Sequence, residues 1–227
     1  MAVASRKPRV WVDGQIIAVK PHVRGWIHFI AAPLSLAAMI VLISLAPSVG
    51  LKWACVAYGL GSFILFAVSA LYHLLYWTPR WEQMWRRLDH SNIFLLIAGT
   101  YTPLSVALLD TGTAKLILTI VWVGALFGII AHMVWLSAPR WLYVALYIIL
   151  GWVAIWFLPD FWHTGGPAVV WLILAGGITY TLGAVVYAQK WPNPSARWFG
   201  FHEVFHACTV AAWACQCVAV YLAILAR

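Results

Sequence analysis

The chain has 227 residues, of which 64% are hydrophobic and only 9% charged, far more apolar side chain than the core of a soluble domain of this size can use. The formal net charge of +8 is carried by short basic segments between long apolar ones. It therefore reads as membrane topology and lipid-headgroup contact, and it excludes a nucleic-acid-binding surface.

A spanning helix needs about 20 mostly apolar residues. That length fits seven times in chain order: Trp26 to Ala46, Trp53 to Trp77, Leu88 to Leu109, Leu116 to Leu136, Trp141 to Leu158, Ala168 to Tyr187 and Trp198 to Leu225. The expected fold is all-α, a polytopic seven-transmembrane-helix bundle, with residues 1–25 as a basic cytoplasmic N-terminal segment and 26–227 as the membrane domain. A cytoplasmic N-terminus puts eleven of the fourteen Lys and Arg inside and leaves only Lys52, Lys115 and Arg227 outside, which is the bias the positive-inside rule expects. The C-terminus then lies outside. Trp77, Trp81, Trp85, Trp135, Trp141, Trp191 and Trp198 collect at the same inner boundary as an aromatic belt would. The first apolar stretch is too long for a signal-peptide core, and Cys55, Cys208, Cys215 and Cys217 all fall within spans as small packing residues.

Ionisable side chains at membrane depth are costly and mark functional sites. In this topology Ser69 and His73 near the end of the second span, Asp89 at the start of the third, and His202 and His206 at the start of the seventh share one depth near the cytoplasmic face. His202 and His206 are four residues apart and turn to one side of a helix, as do Ser69 and His73. Three imidazoles, from His73, His202 and His206, with a water in the fourth position would complete a tetrahedral Zn²⁺ site of the catalytic type. Asp89 would serve as general base, and Ser69 would orient His73 or help hold a developing oxyanion.

Other readings of the same residues stay open. Each histidine alone is commonly a hydrogen-bonded residue between helices. Ser69 can satisfy its hydroxyl on its own backbone, and Asp89 can pair with Arg86 or Arg87 at the membrane edge. His202-Glu203-x-x-His206 matches the zincin protease pattern, with Glu203 as base, but no Asp, Glu or His follows His206 as a third ligand. Haem between facing histidines is not expected, because two histidines on one helix face suit a single small ion. His90 points about 100° away from Asp89 and is taken as structural, while His22, His28, His132 and His163 lack a partner at ligand spacing and are expected at the membrane interface.

Ser69-x-x-x-His73, the run from Asp89-His90-Ser91-Asn92-Ile93-Phe94 through Ala98-Gly99-Thr100-Tyr101-Thr102-Pro103, and His202-x-x-x-His206 occur in this order in three spans. In these motifs the chain resembles the progestin and adiponectin receptor family, especially its bacterial hemolysin III-like branch, over nearly its whole length. The resemblance implies a seven-helix protein of the bacterial inner (plasma) membrane with a cytoplasm-proximal zinc held by His73, His202 and His206. Its likeness to related receptors and the alkaline ceramidases implies that Asp89 and Ser69 contribute to lipid amide hydrolysis. The branch is named for lysis of red cells and has been linked to membrane homeostasis.

Two functions of different class are therefore expected of the site. One is a zinc-dependent, ceramidase-like hydrolase of a lipid acyl amide or ester, with membrane lipids as partners and the acyl chain held in the bundle. The other is a non-catalytic sensor or membrane-homeostasis protein whose zinc ties the second and seventh spans together. A cytolytic pore has little support, because no span is amphipathic and polar-lined.

Overall fold

A computed structural model describes residues 9–12, 15–18, 21–135, 139–195 and 197–227. Two short antiparallel strands, β1 (Arg9–Val12) and β2 (Gln15–Ala18), precede the helices and pair Arg9 with Ala18 and Val12 with Gln15. This hairpin is an addition to the all-helical expectation. Seven α-helices follow: α1 (Trp26–Leu45), α2 (Val49–Leu74), α3 (Pro79–Leu108), α4 (Thr111–Val134), α5 (Arg140–Gly151), α6 (Leu158–Gln189) and α7 (Phe201–Leu225).

The helix starts carry local signals. Ser48 accepts the Leu51 N–H at 3.2 Å ahead of α2, and Asp110 accepts from Gly112 and Thr113 at 2.9 and 3.1 Å ahead of α4. Those bonds, that from Thr113 foremost, hold the Asp110 carboxyl below its ordinary range. Pro79 opens α3 at a position where its missing N–H costs nothing.

Six stretches are long and apolar enough to cross a membrane, with Arg140–Gln189 taken as one of 50 residues, and they mark a multi-pass membrane protein. Their outer faces carry large apolar side chains that a soluble protein would bury: Trp53, Val123 and Trp171 are each more than 60% exposed.

The fifth expected span differs from its neighbours. Helix α5 has only 12 residues and ends at Gly151, where the chain passes through a 3-10 segment, Trp152–Phe157, into α6. Tyr101 of α3 takes up the backbone groups this change frees, since its hydroxyl donates to Gly151 O at 2.7 Å and accepts the Ala154 N–H at 2.8 Å. The sixth span starts earlier than expected, at Leu158, and is broken at Gly166, whose φ of 76° suits only glycine, before Pro167 restarts it.

Helix α3 is the centre of the bundle and packs on α2, α4, α5, α6 and α7, while α1 closes the ring between α2 and α7. Close approach of α2 and α3 depends on small residues, as is usual between membrane helices. A Cβ added at Gly99 would stand 3.1 Å from Ala57 O, and one at Gly61 would stand 3.2 Å from Leu95 O. Across the bundle, Trp213 of α7 donates its indole N–H to Ser62 of α2 at 3.0 Å.

Candidate metal centre

The arrangement of α2, α3 and α7 brings the polar residues of three distant sequence segments to one place. His73 sits in the last turn of α2, and His202 and His206 lie in the first two turns of α7. The potential ligand nitrogens of these three all lie within 4.8 Å of one another, and the Nε2 atoms of His73 and His202 are 3.1 Å apart. With metal–nitrogen bonds of about 2.0–2.1 Å, tetrahedral ligand atoms lie roughly 3.3 Å apart, so the donor set fits a small ion after minor ring rotation. The three histidines are thus positioned to hold a metal ion.

Asp89 stands beside them. Its Oδ2 is 3.6 Å from His73 Nε2 and 3.7 Å from His90 Nδ1. Helix α3 begins ten residues before Asp89, so this carboxylate lies well inside a helix, and it is buried. Its ion-pair neighbours among the described residues are these two imidazoles and not Arg86 or Arg87. Ser69, one turn before His73, is buried beside Asp89. Ser69, Asp89, His202 and His206 line a cavity of about 30 Å³, room for a single water.

His90 is held separately. Its Nδ1 is 2.8 Å from Arg86 O and its Nε2 is 2.9 Å from the Tyr187 hydroxyl. A carbonyl can only accept, so in the neutral ring Nδ1 donates and Nε2 accepts from Tyr187. Glu203 turns away from the cluster: it ion-pairs with Arg24 and accepts the Gly200 N–H at 2.8 Å, which caps α7 and anchors the segment before α1. It is thereby committed to structure, and the protease reading loses its base.

One residue of the site escaped the sequence reading. His28, expected at the membrane interface, is 2% exposed on α1, stacks on His206 and lines the same small cavity. A lone histidine in an apolar span carries no spacing signal, so only the packing of α1 against α7 reveals it. His132, also expected at the interface, stacks on His90 with ring centroids 5.4 Å apart.

A second, larger cavity of about 120 Å³ shares Leu65, Ile93, Tyr147, Ala184, Phe205 and Thr209 with the first and is lined mainly by apolar side chains of α3, α5, α6 and α7. A polar pocket the size of one water, beside the three histidines, therefore adjoins a larger apolar chamber.

Comparison with known proteins agrees with this architecture. Residues 17–217 match the family model described as Haemolysin-III related. Over 178 residues the chain is 36% identical to Hemolysin-3 of Bacillus cereus, covering 77% of this chain and 81% of that protein. It is 31% identical, again over 178 residues, to Hemolysin-3 homolog of Bacillus subtilis (strain 168), covering 77% of this chain and 83% of the other. The chain belongs to the haemolysin-III-related family, within the progestin and adiponectin receptor group.

Proposed function

We propose that this protein is a zinc-dependent hydrolase of a lipid acyl amide or ester, with His73, His202 and His206 as the metal ligands. The observation that carries the reading is the shared wall between the water-sized polar cavity and the apolar chamber, which would set a carbonyl beside the imidazoles and its acyl chain among hydrophobic side chains. When bound, zinc would supply a water acidified to a pKa of about 7. Asp89 Oδ2 holds the proton of the attacking water and passes it to the leaving amine or alcohol as the acyl bond breaks. Ser69 Oγ, in the wall of the same small cavity, donates to the carbonyl oxygen as charge develops there. The apolar chamber binds the chain and keeps bulk water from the reacting carbonyl.

The bundle crosses the membrane seven times in this reading, with α5 and the 3-10 segment together as the fifth crossing. The N-terminus is cytoplasmic, the C-terminus outside, and the membrane is the bacterial inner membrane, in keeping with the distribution of Lys and Arg.

One observation favours a second reading. The 3.6 Å between Asp89 Oδ2 and His73 Nε2 is also close to a ligand–ligand separation, so Asp89 could close the metal as a fourth protein ligand and make it structural, tying α2 to α7 in a non-catalytic sensor. Elemental analysis of the purified protein beside its Asp89→Asn variant, paired with turnover of a short-chain ceramide, separates the two. One zinc per chain in both proteins with turnover in the wild type alone supports the hydrolase, whereas loss of zinc from Asp89→Asn, with no turnover in either, supports the sensor. Red-cell lysis by detergent-free protein, the property in the relatives' names, would support a cytolytic role instead.

A further inference from the structure

A hydrocarbon chain asks nothing polar of the walls around it, so polar groups lining an acyl chamber should be satisfied within the protein. Most in the 120 Å³ cavity are. Thr100, Thr181 and Thr209 each donate to a carbonyl one turn back on their own helix, Tyr101 donates to Gly151, Tyr147 to His90 O and Trp152 to Thr181. Two groups are not. Tyr180 OH and Gln216 Oε1 are both shielded from solvent and neither meets a protein partner.

Chemistry settles the orientation of the Gln216 amide, because its Nε2 donates at 3.1 Å to Ile173 O, which can only accept. The acceptor Oε1 is therefore the end left free. Gly176 on α6 makes room for the amide, since a Cβ there would stand 3.0 Å from Gln216 Cδ. Tyr180 follows Gly176 by four residues, one turn along the same face of α6. Gln216 lies ten residues beyond His206, about 15 Å along α7 from the metal centre.

From this we infer that Tyr180 and Gln216 form a specificity site for an acyl chain bearing a hydroxyl partway along its length. One free donor and one free acceptor in the lining of the same chamber match a hydroxyl, which accepts from Tyr180 and donates to Gln216 at once. A ketone at that carbon satisfies only Tyr180, and a saturated chain satisfies neither.

The inference rests on the acyl-chain reading of the chamber, so its test reads binding and not turnover. Octadecanoic acid, its monohydroxylated isomers along the chain and the ketones at the same carbons are titrated into the full-length zinc-loaded protein in nanodiscs. The expected result is that one isomer, or two adjacent ones, bind about tenfold tighter than octadecanoic acid and tighter than the matching ketone. Tyr180→Phe and Gln216→Leu should each remove that preference, and octadecanoic acid should bind each variant at least as tightly as the wild type, because the saturated chain then leaves one fewer buried polar group unsatisfied. Equal binding of parent, alcohols and ketones would mean that a water serves both groups, and it overturns the assignment, as does a preference that survives both variants. Failure of every fatty acid to bind overturns the acyl-chain reading together with this one.

Discussion

The ring of His28 lies flat against that of His206, with centroids 3.9 Å apart and planes 8° from parallel. Helix α1 contributes no candidate ligand, yet through this contact it holds one ligand ring in place, the kind of outer support on which metal affinity depends. In the proposed zinc site, His28→Ala is expected to weaken metal binding about tenfold. His28→Phe, which keeps the flat face, should bind zinc nearly as the wild type does, and chelator competition measures both. Equal loss in the two variants would assign the effect to a ring nitrogen and not to stacking.

If the proposed site holds zinc, replacing His73, His202 or His206 singly by Ala should remove most of it, because each supplies one of three buried or partly buried nitrogens within 4.8 Å of the others. In the hydrolase reading Asp89→Asn retains the metal and slows lipid turnover about 10²–10⁴-fold, the usual contribution of a positioned base. Zinc content and ceramide turnover on the same preparations check both statements.

The pair between Arg24 and Glu203 fixes the entry of α1 to the start of α7, with His22 and Val23 N–H also bonded to Arg197 O and Trp198 O at 3.2 and 3.4 Å. Arg24→Met leaves the 1%-exposed Glu203 side chain without its cation, and losses of about 3–5 kcal/mol are typical for such a break. Thermal unfolding in detergent should fall accordingly, and Arg24→Met combined with Glu203→Gln should recover most of the loss.

Gly99 meets backbone, not flexible side chain, across the α2–α3 contact. Gly99→Val therefore has nothing that can move aside, and a destabilisation of about 1–3 kcal/mol is expected from overpacking. In the proposed zinc site the same substitution should also lower metal affinity, because the spacing of α2 and α3 sets the 3.6 Å between His73 and Asp89. Gly50, which has open space around it, is the control site for an otherwise identical change.

Much of the site was legible because its residues obey helical spacing in segments where polar side chains are rare. His202 and His206, and Ser69 and His73, each repeat at four residues inside apolar runs, and that repeat alone assigns them a shared face. His28 had no such repeat, and neither Tyr180 nor Gln216 stood out in spans that tolerate single polar residues. The N-terminal hairpin has a sequence signal of its own, the Asp13-Gly14 pair between two stretches containing β-branched residues.

By itself the sequence determined that this is a multi-pass helical membrane protein with its ionisable residues at one depth, because length, hydropathy and helical periodicity are local properties that apolar surroundings enforce. Only the tertiary structure decided which of those residues meet, that Glu203 serves Arg24 and not a metal, that His28 buttresses His206, and that Gly151 and Tyr101 divide the fifth stretch. These depend on which helix faces which. In a membrane that choice is made by the packing of small residues and side-chain hydrogen bonds between distant segments, which no local pattern along the chain encodes.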